Sequence, residues 1–225
     1  SADNSAVGVL TPEFINNKEA GFDLSFMRNR INIEATYYHQ NNTDQLVTIN
    51  TSGATGYTGA LVNAASFINK GLELDLNLTP LVSFRDGNVK LRTNATYSES
   101  NITEIYPGLD ELSIGGTGET RNNVINAAIV GSSAFLLKGT DYFRDDQGRV
   151  IVNQYTGAPT VDPTLKPFGQ TMPKWIIGIN PSVTWKGVSL SALFEYRTGH
   201  YAYHDIGNSM AWTGVGYNTA TNNRE

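Results

Sequence analysis

The residues able to do chemistry are few, and their spacing suits neither a metal centre nor a catalytic triad. His200 and His204 form an H-x-x-x-H, which holds zinc when a helix brings positions i and i+4 together. On a strand the two side chains would stand about 13 Å apart at roughly 3.3 Å per residue, too far for one ion. No metal ligand set is assigned to them, and the expected role is a polar strand end near an outer rim. Asp145-Asp146-Gln147-Gly148-Arg149 begins like a calcium loop but lacks its alternating oxygen ligands and the glutamate at position twelve. A hairpin turn between Tyr142 and Val150 is expected instead. Serine is plentiful, yet no G-x-S-x-G elbow occurs, and three histidines without a defined partner make no triad. Cysteine is absent, which removes disulfides, thiolate metal sites and a Cys nucleophile. The sequence points to no enzyme and no cofactor.

What remains is a set of charges interleaved with apolar residues: Glu34, Glu73, Asp75, Lys90, Arg92, Glu195 and Arg197. Their meaning depends on the elements that carry them. Six segments alternate apolar and polar residues with period two, the signature of a strand with unlike faces. They are Glu19 to Met27, Ile31 to Gln40, Leu72 to Thr79, Asn88 to Ser98, Trp175 to Trp185, and Val188 to Arg197. One face collects Phe22, Leu24, Ile33, Leu74, Leu76, Leu91, Ile177, Ile179, Leu190 and Phe194, and the other collects the charges just named. Pro181 lacks a ladder donor in mid-strand, so a bulge or local break is expected there.

The connections alternate as well. Met27-Arg28-Asn29-Arg30, Pro80 to Gly87, and Trp185-Lys186-Gly187 are short, while Asn41 to Gly71 and Glu99 to Pro173 are long and rich in Gly, Asn, Thr and Ser. A meander of strands with short turns on one side and long loops on the other is the pattern of outer-membrane barrels. Strands one, three and five would descend, and two, four and six ascend. The runs approach the roughly 9 to 11 residues that a tilted membrane strand needs. Trp175, Trp185, Tyr37, Tyr97 and Tyr196 lie near strand ends, where an interfacial aromatic girdle belongs.

Composition agrees. Charged residues are 16% of the 225, against 22 Gly, 11 Tyr, 9 Phe and 3 Trp, whereas soluble domains carry roughly 25% charge. The net charge of −5 and the lack of a Lys/Arg run leave nucleic acid without a binding stripe. Neither a signal peptide pattern nor an apolar run long enough for a membrane helix occurs. A mean hydropathy of −0.28 is no objection to spanning strands, whose alternation averages out.

Several motifs then add a resemblance. Gly56-Tyr57-Thr58-Gly59, Leu61-Val62-Asn63-Ala64 and Ile68-Asn69-Lys70-Gly71-Leu72-Glu73-Leu74 stand in the order of the stretch that precedes a descending strand in the SusC/RagA family of TonB-dependent transporters. Pro12-Glu13, Tyr142-Phe143-Arg144-Asp145-Asp146-Gln147-Gly148, Pro173-Lys174-Trp175 and Trp185-Lys186-Gly187 agree in order and spacing. The chain resembles that family over most of residues 12 to 205.

The resemblance implies an antiparallel transmembrane β-barrel segment, about six strands of a larger barrel of 22. Six strands cannot close around a lumen, so residues 1–225 are expected to form part of one barrel domain, without the plug, the TonB box or the carboxy-terminal strand. It further implies outer-membrane, TonB-dependent import of nutrient oligomers, glycan or peptide, with a SusD-like surface lipoprotein on the long loops and the TonB complex engaged elsewhere. The charged face would line the lumen, and the apolar face would meet outer-membrane lipid. Two alternatives remain: a soluble cell-surface β-sandwich that binds a ligand, and a passive porin.

Overall fold

The computed structural model describes residues 5–7, 9–50, 52–57, 59–109, 111–113 and 124–220. Thr58 of the Gly56–Gly59 motif, and residues 51, 110 and 114–123 of the two long connections, lie outside the described residues. The strands are β1 (Ser5–Val7), β2 (Phe14–Phe26), β3 (Ile31–Asn50), β4 (Gly59–Phe84), β5 (Gly87–Ile105), β6 (Glu111–Ser113), β7 (Ile125–Ile129), β8 (Leu136–Tyr142), β9 (Val161–Gln170), β10 (Trp175–Trp185), β11 (Val188–Ser191) and β12 (Phe194–Thr198). Two helices follow, α1 (Asp205–Thr213) and α2 (Tyr217–Ala220). The chain divides into two compact units, one of residues 1–112, 128–134 and 172–200, the other of 113–127, 135–171 and 201–225.

The first unit carries the six-strand meander. Its sheet runs β2-β3-β4-β5-β10, with β11 and β12 sharing the far side of β10 as one interrupted sixth strand, and β1 added parallel to the start of β4. The turns follow from local chemistry. Lys186 (φ 46°) and Gly187 (φ 85°) both take positive φ in the two-residue β10–β11 turn, as primed hairpin turns require. Met27, Arg28 and Asn29 do so at the β2–β3 turn, where the Arg30 amide donates to the Phe26 carbonyl at 3.1 Å.

Two connections are shorter than the sequence indicated. Pro80 is not where β4 ends: a register shift between Leu78 and Val82 absorbs the proline, and the strand continues to Phe84. Much of Asn41 to Gly71, expected as loop, is ladder, because β3 and β4 stay paired from Asn50↔Gly59 down to Ile31↔Leu78. Adjacent apolar pairs such as Leu46-Val47, Leu61-Val62 and Phe67-Ile68 break period two in these extensions and leave no apolar alternation to read.

The break at Pro181 is real and falls on the neighbouring strand. β10 pairs with β5 without a slip from Trp175↔Tyr97 to Trp185↔Gly87. On the other side the sixth strand is interrupted at Ala192 and Leu193, opposite Pro181 and Asn180. The Ala192 amide donates to the Pro181 carbonyl at 3.1 Å, but proline has no N–H to return. The Asn180 side-chain amide donates to the Ala192 carbonyl instead, at 3.1 Å. Asn180→Ala should therefore orphan that carbonyl and cost about 1 kcal/mol, read as faster amide exchange across residues 192–194.

Burial is confined to one end of this sheet. Ile102, Ile105, Leu112, Ala128 and Ala134 form a small buried cluster, with Val47, Ile49 and Phe67 packed against it. Among the described residues no large side chain is fully buried, and the alternating parts of the strands have no core beneath them. In the second unit β7, β8 and β9 are antiparallel neighbours. Strand β9 carries Pro163 and Pro167 and lies at the sheet edge, the place where prolines are tolerated.

Candidate functional site

Register decides what each face of the meander presents. Consecutive ladder pairs line up Leu24, Ile33, Leu76, Thr93, Ile179 and Phe194 in one row, and Phe22, Ala35, Leu74, Ala95, Ile177 and Tyr196 in the next. Leu91 lies opposite Pro181, and Leu190 opposite Val183, on the same face. The outermost rows are Ala20, Tyr37, Leu72, Tyr97 and Trp175 at one end, and Trp185 with Val188 at the other. No charged residue occupies this face between them. Phe22, Leu74, Ile179, Leu190, Phe194 and Trp185 are exposed, with Leu190 at 75%. A contiguous uncovered apolar face of this kind marks contact with lipid or another apolar phase.

The height of the band can be read from its tryptophans. Trp175 and Trp185 bound one strand and share a face. Ten steps of roughly 3.3 Å span about 33 Å, or about 23 Å of depth at a tilt near 45°. That equals the roughly 25 Å apolar band of an outer-membrane barrel with an aromatic girdle at each edge.

On the opposite face the structure brings some predicted charges together and leaves others apart. Asp23, Glu34 and Asp75 stand directly opposite one another on β2, β3 and β4. Glu73 is opposite Thr36 and Thr96, Arg92 opposite Asn77 and Asn180, and Lys90 opposite Ser182. Glu195 lies opposite Gly178, and the Arg197 guanidinium donates to it at 2.6 Å. Like charges in direct opposition are unfavourable on a dry face, so this row requires water or a cationic counterpart.

The sequence motifs prove to be staples between strands, which single-sequence reading could not show. The Asn63 side chain accepts from the Thr11 amide (2.8 Å) and donates to the Thr11 and Asp44 carbonyls (2.8 and 2.6 Å). Glu13 accepts from the Leu46 amide at 2.8 Å, just past the β3 bulge. Tyr38 lies across Gly71 and its hydroxyl contacts Ser98 at 3.2 Å. Lys70 and Lys174, from two separate motifs, converge on Glu99 at 3.3 and 3.9 Å, beside the tilted Tyr97–Trp175 ring contact of 4.9 Å.

The expected hairpin at Asp145 is present, with Arg144 bridged to Val150. Asp145 accepts from the Gln147 and Arg149 amides, each at 2.9 Å, and from the Arg149 guanidinium at 2.7 Å. The Arg149 amide, then its guanidinium, hold this carboxyl below the usual aspartate value. A depressed carboxylate supports the turn above the unfolded group's pKa, and that support is lost as pH falls through the folded value. The turn should thus stay closed down through the ordinary aspartate range and open in stronger acid. Pepsin nicking at Phe143, followed as pH is lowered, reads the opening, and Asp145→Asn should flatten the dependence.

His200 and His204 are not on a strand: β12 ends at Thr198, before His200, and His204 precedes α1 as its N-cap. Among the described residues no group of three or more His, Asp or Glu is placed to hold a metal ion.

A single-layer antiparallel sheet, apolar and uncovered on one side, charged on the other and girdled by tryptophan, defines the wall of an outer-membrane β-barrel, here a partial and unclosed one. Residues 1–164 match the family described as TonB dependent receptor-like, beta-barrel. The chain belongs to this family of outer-membrane proteins. It is 24% identical over 227 residues to TonB-dependent receptor P26 of Formosa agariphila, covering 87% of this chain and 21% of that protein. Among solved structures it is similar to the RagAB peptide transporter (TM-score 0.63, 22% identity, 83% of this chain and 21% of that one). It is also similar to the RagAB peptide importer in the open-open state (TM-score 0.64, 22% identity, 85% and 21%). These matches bear out the SusC/RagA resemblance. The chain spans about a fifth of the length of these relatives.

Proposed function

We propose that this chain forms part of the wall of a TonB-driven importer of nutrient oligomers, glycan or peptide. The observation that carries the reading is the uncharged, uncovered face bounded by Trp175 and Trp185, backed by a face lined with carboxylates. Phe22, Leu24, Ile33, Leu74, Leu76, Leu91, Ile177, Ile179, Leu190 and Phe194 meet lipid. Glu34, Glu73, Asp75, Lys90, Arg92, Glu195 and Arg197 face the lumen, where they hydrate the wall and contact a plug. A SusD-like surface lipoprotein would cap the side of the long connections, and the TonB complex would act through a part of the protein outside this chain. A soluble sandwich would need a second apolar layer over the exposed face. A passive porin would share the wall and differ in its energetics.

The full-length protein should fractionate with outer membranes and require detergent for extraction. Uptake of its oligomer should be lost in a TonB-deficient strain. Recovery as a soluble species would overturn the membrane assignment, and undiminished uptake without TonB would favour the porin.

A further inference from the structure

One register step beyond the upper aromatic row, the lipid-side face changes character. Lys18 is opposite His39, His39 opposite Lys70, and Lys70 opposite Glu99. Each lies two residues along from Ala20, Tyr37, Leu72 and Tyr97, hence on the same face. Lys174, immediately before Trp175, reaches the same carboxylate at 3.9 Å. The next row outward is Asn16, Asn41, Ile68 and Asn101, without charge. Two ammonium groups, Lys70 and Lys174, therefore meet one carboxylate, and Lys18 lies in the same row as Lys70 and Glu99, which contains the first charges encountered on leaving the apolar band at this end. A two-residue step is about 6.6 Å along a strand, or about 5 Å of height at the tilt used above. That is headgroup depth on the side of the long connections, the outer leaflet.

We propose that Lys18, Lys70 and Lys174 form a seat for the phosphorylated headgroups of outer-leaflet glycolipid, resting on the membrane placement given above. Neighbouring strands are about 4.8 Å apart, so Lys18 and Lys70, two strands removed, sit about 10 Å from each other and can engage separate anionic groups of one headgroup. Glu99 holds Lys70 and Lys174 side by side and pins the patch above the Tyr97–Trp175 pair. The acyl chains of the same lipid would lie along Phe22, Leu74 and Ile177.

Native mass spectrometry of the full-length protein, released from detergent with bisphosphorylated or dephosphorylated lipid A, tests this. The wild type should retain the phosphorylated lipid in preference. A lysine near an anionic surface contributes about fivefold in binding. The Lys18→Gln/Lys70→Gln/Lys174→Gln variant should accordingly lose retention by roughly a hundredfold, and Lys186→Gln, at the opposite rim, should retain it. Equal retention of the two lipids by the wild type would overturn the proposal, as would undiminished retention by a triple variant that still migrates as a folded, heat-modifiable barrel. The wild-type comparison stands even where the triple variant does not fold. Displacement of the lipid by excess inorganic phosphate would overturn the lipid assignment in favour of a simple anion site. Failure of the protein to reach the outer membrane would instead remove the placement on which the proposal rests.

Discussion

Leu76→Arg is expected to cost the full-length barrel about 2–4 kcal/mol, the penalty for a guanidinium near the bilayer midplane, whereas Asp75→Arg one residue away should cost nothing or stabilise. Leu76 lies in the third of the six rows counted from Trp175 to Trp185, between Ile33 and Thr93. It has no charged neighbour on its face and no water to retain. Asp75 points the other way, opposite Glu34, which is in turn opposite Asp23. An arginine there would replace one of three adjacent carboxylates with a partner for the remaining two. Urea titration of barrels folded in lipid vesicles, followed by tryptophan emission, measures both. Equal losses at the two positions would contradict the facing assigned to every strand, because register ties the six together.

Gly71→Val is the second large effect. A side chain at this position would overlap the Tyr97 carbonyl oxygen and the ring of Tyr38, which crosses above it towards Ser98. Part of the obstruction is backbone of the adjoining strand and cannot rotate away. A cost of about 1–3 kcal/mol is expected from overpacking, with added loss of the Tyr38–Ser98 contact. Tyr38→Ala in the Gly71→Val background should recover the part due to the ring and leave the part due to the carbonyl. A double-mutant cycle on the same unfolding signal separates the two. Full recovery would mean that the glycine serves the tyrosine alone.

How much of this was legible beforehand follows from what each residue faces. Within the apolar band one face of each strand is apolar and the other polar, so period two is written plainly into Leu72–Leu78 and Trp175–Trp185, and the strands and the parity of their faces are readable from sequence. Outside the band, adjacent apolar pairs such as Leu46-Val47, Leu61-Val62 and Phe67-Ile68 break that period. Asn41–Asn50 and Gly59–Gly71 therefore looked like loop while forming ladder. Strand β9, with two prolines, looked like loop for a different reason: its place at a sheet edge releases it from donating on one side. Charge direction was readable from parity, but the alignment of Asp23, Glu34 and Asp75 needed the register. The meeting of Lys70 and Lys174 at Glu99 joins motifs a hundred positions apart and could not be inferred from spacing. The detour at Pro181 was anticipated as a defect, but its repair by Asn180 was not.

Strand β4 has 26 residues, and Gly59 lies thirteen steps beyond Leu72 of the upper aromatic row. At roughly 3.3 Å each and the same tilt, that carries the paired β3–β4 ribbon about 30 Å beyond that row. Two antiparallel strands paired on both sides of the irregularity between Asn42 and Leu46 resist stretching along their length, and the Thr11, Glu13 and Asn63 bonds brace the pair at that point. The ribbon is thus a lever arm rather than a tether. A body resting on its tip would transmit torque directly to the stretch of wall around Lys70 and Gly71.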